Sequence, residues 1–406
     1  MKTLFKIAWR NIWRNRLRSL VVIISIILGI WAGVFVSAFS FGLNDQRKVS
    51  MIRNQISHLQ FHDPRWEEEP NVNYLISDAK AVESWLEQQK PEAYAFRLKT
   101  MGMAATAHFS GGVQIIGIQP EQESLLTGLG GRIDSGDYLN DKGRNPILVG
   151  EALAEKLEVK PGSRVILSFS DGAQNLVSAS FKVKGLYHDV SSQIEKLNVY
   201  IRAEDLQSLL GLEADQYHEA ALLLKDDNQV EAELSKAKEA FPQLLVESWK
   251  DLAPELAYAD ELMSQMLYII IGIIMLALSF GIINTMLMAV LERRKELGML
   301  MSVGMSKRRV FAMVIIETLL LALISGPLGI IAGYLSISST AESGLNLAMF
   351  SDGLSSYGIG TIIYPSLPQS FYFGTAAIVF IMTLLAAIYP ARHALKLNPV
   401  ETMRTL

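Results

Sequence analysis

His58, His62 and Asp63 are the residues whose types and spacing first invite chemistry, because two imidazoles and a carboxylate so close together resemble the donor set of a transition-metal site. The stretch around them, HLQFHDP (58–64), alternates like a strand and offers no third spaced ligand, so the pair reads as structural or solvated. The chain has no cysteine, which excludes disulfides, thiolate catalysis and Cys-based zinc sites. It also has no Gly-x4-Gly-Lys-Ser/Thr loop, so it does not hydrolyse ATP by the phosphate-loop route. The acidic run Glu67–Glu69 reads as a solvated surface segment.

Two polar residues, Asn284 and Glu317, interrupt long apolar runs. An ionisable group at membrane depth costs about 2.5–3.5 kcal/mol on insertion scales, so it ordinarily has a partner. Counted from Glu292 and Val310 at about 1.5 Å per residue, the two lie roughly 12 and 10 Å from the same membrane edge. Their matched depth predicts that they meet, either as a hinge or as interhelical glue worth about 0.6 kcal/mol.

Between these runs lies a short charged link that carries Glu292-Arg293, Glu296-Leu297-Gly298 and Gly304-Met305. An amphipathic helix over 292–303, with Leu297, Leu300 and Met301 on one side, has the form that seats in the groove of a partner protein. Gly304 would supply the sharp turn that follows. Topology alone explains the basic residues of a short loop. It does not explain where the glycines and acids stand.

These residues must be positioned by membrane helices. Four runs, Leu17–Leu43, Leu267–Leu291, Val310–Leu335 and Phe371–Pro390, are apolar over the roughly 20 residues needed to cross a bilayer. The first is too long for a signal-peptide core and reads as an uncleaved anchor. Residues 1–19 carry six basic and no acidic side chains, and 292–309 carry six basic against two acidic. The stretch 44–263 carries 22 basic against 35 acidic. The positive-inside rule therefore places both termini and the middle link in the cytoplasm. The expected order is a cytoplasmic segment 1–16, spans 17–43 and 267–291 flanking an external domain 44–266, a coupling loop 292–309, span 310–335, an external loop 336–370, span 371–390 and a cytoplasmic tail 391–406. Gly29-x3-Gly33 and Gly329-x3-Gly333 permit close helix approach, within or between subunits. No basic patch is left over for nucleic acid.

The external region reads as mixed α/β. A helix is expected over Ser77–Gln89, capped by Ser77 or Asp78 and ended before Pro91, with strands at Gly112–Ile118, Arg164–Phe169 and Ser178–Val183. The last two form a hairpin across Asp171-Gly172. A second αβ unit follows, with strand Ala220–Leu224, a cap at Asp226 or Asp227, helix Gln229–Ala240 and strand Leu244–Glu247. Residues 251–266 carry an apolar stripe that runs on into the second span, either as a stalk or as an ordinary packing helix, and Asn44–Ile56 reads as an outward continuation of the first span.

The link from Asn284 to Ser306 resembles the coupling loop of ABC-transporter permeases of the family that includes lipoprotein-release permeases, macrolide-exporter permeases and the cell-division permease FtsX. The N-terminal AWRNIWRNRLRSL resembles that family's basic first helix. The C-terminal YPARHALKLNPVETMR resembles its closing pattern, carried here by Pro390, Ala391, Arg392, Asn398, Pro399, Val400 and Glu401. HLQFHDP (58–64), GIQPEQE (117–123) and LVGEALAEKLEVKPGSRVIL (148–167) look most like the lipoprotein-releasing (LolC/LolE-type) branch. The resemblance implies a four-helix membrane fold with a large α/β extracytoplasmic domain, a porter-like subdomain with a β-rich insert at about 110–214. It implies a non-enzymatic permease in a bacterial inner membrane. A separate ABC ATPase that binds ATP and Mg would dock on Glu292, Arg293, Glu296, Leu297, Gly298, Gly304 and Met305. Further implied partners are a second permease copy or paralogue, membrane lipids and a periplasmic lipoprotein carrier or adaptor. Macrolide exporters carry their ATPase ahead of the first span, where only about 16 residues stand here.

Overall fold

The computed structural model describes residues 2–14, 16–66, 71–139 and 143–395. They form two compact units, a helical one (Met1–Asn44, Glu261–Asn346 and Ile362–Leu406) and an α/β one (Asp45–Asp260 and Leu347–Thr361). The acidic run 67–69 and the closing motif 398–401 lie outside the described residues.

The helical unit is built from an N-terminal helix, Lys2–Arg14, and four longer helices: span 1 (Arg16–Met51), span 2 (Pro254–Glu292), span 3 (Lys307–Ser343) and span 4 (Gln369–Leu395). All four long helices contain a segment long and apolar enough to cross a membrane. Each helix outruns its apolar segment, because backbone hydrogen bonding does not stop where hydrophobicity does. Span 2 starts at Pro254, a residue suited to the first helical turn, after Ala253 breaks off a short Trp249–Leu252 turn. Span 1 passes at Ile52–Ile56 into a π turn that ends on Ser57, a buried non-glycine residue with φ +60°.

Glycines set the packing of span 1. A Cβ on Gly29 would overlap Leu278 of span 2, and one on Gly33 would lie 2.7 Å from Ile271. On span 3 the roles reverse, since Cβ atoms on Gly329 and Gly333 would lie 2.8 Å from Ile30 and from Val34 of span 1. The four glycines thus meet neighbouring spans of the same chain. Trp31 Nε1 donates to Ser336 Oγ at 2.8 Å and adds a polar link between spans 1 and 3.

The α/β unit carries β1 (Leu59–His62), β2 (Ala93–Ala105), β3 (Ser110–Ile118), β4 (Ile133–Gly136), β5 (Pro146–Gly150), β6 (Arg164–Ser170), β7 (Leu176–Tyr187), β8 (Asn198–Arg202), β9 (Glu219–Leu223) and β10 (Leu245–Ser248). The hydrogen-bonded order is β10-β1-β9-β2-β3-β8-β5-β7-β4, with β6 against β2 and β7. The expected boundary between porter-like units and insert falls inside this sheet. One edge of β2 pairs first with β9 over Ala93–Arg97 and then with β6 over Gly102–Ala105, while its other edge carries β3. A single strand therefore belongs to both parts, and one apolar core continues across them. The helix near 77–89 runs from Ala79 to Gln89 with Asp78 accepting from the Ala81 N–H, and β6 and β7 form the expected hairpin. The later αβ unit matches as well, except that Asp226 caps a short 3-10 turn before the helix Val230–Ala240.

The histidines near the sheet are structural. His58 Nδ1 accepts from the Leu224 N–H, which leaves Nε2–H to donate to Asp227 at 2.9 Å. His62 is buried beside Gln60 and the His218 carbonyl. His218 Nδ1 accepts from the Lys99 N–H and its Nε2–H donates to the Val72 carbonyl, both at 2.9 Å, so this ring is held neutral. Burial lowers its pKa from 6.5 to about 4. A lowered folded-state value means that the unfolded chain binds the extra proton first, so stability is complete above about pH 6.5 and is lost as pH falls toward 4. Burial lowers the His62 pKa to about 4 as well, so each of the two rings is expected to contribute a loss of about 2 kcal/mol between pH 7 and pH 5. Chemical denaturation of the purified chain at the two pH values measures it, and equal midpoints would contradict the assignment.

Candidate coupling site

Span 2 ends at Glu292, and Arg293 leaves helical geometry at φ −97°, ψ 15° before a new helix, Arg294–Ser302, begins. That helix closes in a tight turn, with the Met305 N–H reaching the Leu300 carbonyl at 3.0 Å and Gly304 at φ +100°. No atom lies within 4 Å of where a Gly304 Cβ would stand, so the need for glycine is conformational rather than steric. Ser306 then leads in extended geometry into span 3.

The apolar side of this loop helix is not turned outward as the sequence pattern implied. Leu297 is 3% exposed and Gly298 is buried, while Leu300, Met301 and Met305 pack against the core of the helical unit. The pattern that reads as a docking face is satisfied inside the same chain, because the helix folds back onto span 3. What it offers outward is Met299, 57% exposed, and Val303, 83% exposed, with Arg294 and Lys295 also exposed.

A chain of charges anchors the loop helix. Arg14 Nη2 of the N-terminal helix donates to both carboxylate oxygens of Glu296 at 2.5 Å. Arg293 Nε donates to Glu296 at 3.3 Å, and its Nη1 donates to both oxygens of Glu317 at 3.2 Å. Four elements are thus joined: the N-terminal helix, the loop helix, the end of span 2 and span 3. The outer link is exposed, whereas the Arg293 and Glu317 side chains are each 12% exposed. The hydrogen bond from Arg14, with that from Arg293, holds the Glu296 carboxyl below its ordinary range. Asn11 of the N-terminal helix is also buried at this site, beside the Glu317 carboxylate.

Asn284 does not share this site. It lies on the exposed side of span 2, whereas Met286, Ala289, Val290 and Arg293 face Glu317. Depth along a helix fixes height but not rotational phase, and at 3.6 residues per turn Asn284 points away from that face. The expected pairing is therefore replaced by Arg293–Glu317. Glu292 is exposed at the end of span 2. Sequence reading also missed Arg14, whose basicity had been absorbed by topology.

Residues 268–399 match the FtsX-like permease C-terminal family, and residues 19–240, more than half of the chain, match the MacB-like periplasmic core domain. The chain belongs to the FtsX/MacB family of ABC transporter permeases. The permease is 25% identical over 285 residues to an uncharacterized ABC transporter permease of Methanocaldococcus jannaschii, a match covering 67% of this chain and 65% of that relative, a little under two thirds. It is 22% identical over 297 residues to the lipoprotein-releasing system transmembrane protein LolC of Haemophilus influenzae, covering 72% of each. Among solved structures it is similar to the extracellular domain of the noncanonical ABC-type transporter YknZ from Gram-positive bacteria, with 13% identity, 47% of this chain and 99% of that one covered, and a TM-score of 0.34. The permease is a multi-pass membrane protein with a large α/β domain.

Proposed function

We propose that this permease couples ATP hydrolysis in a separate ATPase subunit to release of lipoproteins from the outer leaflet of a bacterial inner membrane. The observation that carries the coupling is the loop helix itself, fixed on its inner side by the Arg14–Glu296–Arg293–Glu317 chain and presenting Met299 and Val303 among basic residues on its outer side, and the lipoprotein cargo rests on the similarity to LolC. A partner that seats on that outer side moves span 2, span 3 and the N-terminal helix together. Spans 1 and 2 are the two helices within which the chain passes between the helical and the α/β unit. Movement of the loop is thereby linked, along continuous helices, to the α/β domain. Acyl chains are held at spans 1 and 2 of a pair of permeases, and a periplasmic carrier receives the lipoprotein at the α/β domain. Each methylene drawn from a bilayer costs about 0.8 kcal/mol, so extraction of a lipidated protein needs a driven step.

Met299→Asp combined with Val303→Asp is expected to abolish recovery of the ATPase on purification of the tagged permease, while the helical unit stays folded because neither side chain is buried. Undiminished recovery would place docking elsewhere. Depletion of the permease is expected to strand outer-membrane lipoproteins in the inner membrane. A second reading, export of a drug or peptide, draws support from the match of residues 19–240 to the MacB-like periplasmic core domain. Normal lipoprotein sorting with raised drug or peptide sensitivity would favour it.

A further inference from the structure

Apart from the coupling site, three metal-ligating side chains converge in the α/β unit from three different elements. Glu151 opens the helix Glu151–Leu157 that follows β5, His188 follows the last residue of β7, and Glu195 lies in the helix Ser192–Leu197. Their ligand atoms all lie within 4.8 Å of one another. His188 Nδ1 stands 2.8 Å from Glu195 Oε1 and 3.5 Å from Glu151 Oε2, so one ring nitrogen faces two carboxylates. Asp134 of β4 adds a third carboxylate beside Glu151. Arg132, the nearby arginine, is engaged by Asp189.

The surroundings hold these groups in place. Gly150 packs so closely on the backbone of Glu195 that a Cβ would overlap it. The Tyr187 hydroxyl lies 3.1 and 3.0 Å from the carbonyl oxygens of Ile194 and Asn198, at the two ends of the Glu195 segment. The Asp189 N–H donates to Glu195 Oε1 at 2.7 Å, and the Glu195 side chain is only 8% exposed.

We propose that Glu151, His188 and Glu195 bind a Zn2+ ion, with Asp134 or water as the fourth ligand. Tetrahedral zinc at about 2.0–2.2 Å from N and O donors sets its ligands about 3.4 Å apart, within the spacing found here. The imidazole donor favours zinc over calcium or magnesium, which take oxygen ligands in larger number. The ion ties the end of β7 to two helices, a staple in a chain without cysteine. The inference is independent of the transport reading, since its test scores binding alone.

The full-length permease in detergent, stripped with chelator, is titrated with Zn2+ against a competing chelator dye, and with Co2+ to read the visible absorption of a tetrahedral site. One Zn2+ per chain at pH 7 is expected. His188→Ala and Glu151→Gln should each weaken binding by about tenfold or more, since loss of even an outer partner of a metal site has that effect. His188 is 66% exposed and Glu151 is partly exposed, so both variants should fold, which their unfolding curves without metal will check. His108→Ala, at an exposed histidine elsewhere, should bind as the parent does. Absence of a saturable site, or equal affinity in all four proteins, overturns the proposal and leaves His188 as a hydrogen-bonded ion-pair partner of the two glutamates.

Discussion

Replacing Arg97 by methionine should cost the α/β unit about 3–5 kcal/mol, the loss that follows when one member of a buried ion pair is removed. Arg97 is 4% exposed. Its Nε and Nη2 donate to the two oxygens of Glu123 at 2.8 Å, and its Nη1 donates to Glu219 at 2.8 Å and to the Gln55 carbonyl at 3.1 Å. Without it, Glu123 and Glu219, 1% and 0% exposed, face each other with less cation than acid, although Lys99 still pairs with Glu219. Adding Glu123→Gln should recover part of the loss by removing the uncompensated charge. Hydrogen exchange in β2 and β9 of the detergent-solubilised permease measures the change. A loss below about 1 kcal/mol would show that the network contributes little.

The second large effect is expected in the helical unit, where Glu317→Ala leaves the largely enclosed Arg293 guanidinium with Glu296 alone. The expected cost is about 3 kcal/mol. A double-mutant cycle with Arg293→Ala should give a coupling above about 1 kcal/mol, while the cycle of Glu317→Ala with Asn284→Ala should be additive within about 0.5 kcal/mol. Arg293→Lys should not rescue, because separate nitrogens of one planar guanidinium hold Glu296 and Glu317, and a single ammonium cannot take both positions. Coupling between Asn284 and Glu317 in place of Arg293 would overturn the observed arrangement.

The parts of this fold that depend on local pattern were legible in the sequence. The four spans follow from apolar length, and a cap at Ser77 or Asp78 and the β6–β7 hairpin follow from residue type and spacing. The Gly304 turn follows from its place after a helical stripe. What depends on rotational phase or long-range pairing was not legible. Asn284 and Glu317 stand at equal height but on different faces, and the loop helix has an apolar stripe that periodicity cannot assign to a partner or to its own chain. Arg97, Glu123 and Glu219 are far apart in sequence and sit in strand or helix contexts where charged residues ordinarily reach solvent. Only the pairing of β2 with β9, and the helix Pro120–Thr127 that carries Glu123, brings them together.

The glycine contacts of span 1 have a geometric consequence for movement. The knobs that enter Gly329 and Gly333 are Ile30 and Val34, and the same buried row continues every four residues through Val22, Ile26 and Ala38. Shifting span 1 along its axis by four residues, about 6 Å, would bring Ile26 and Ile30 to the two notches, but would also set Ser25, which carries a Cβ, where Gly29 now meets Leu278 of span 2. Smaller displacements set those side chains against the ridges between notches. Span 1 is therefore keyed at one height by both neighbours, and a stroke delivered through these helices would carry spans 1, 2 and 3 as one block rather than slide span 1 past span 3.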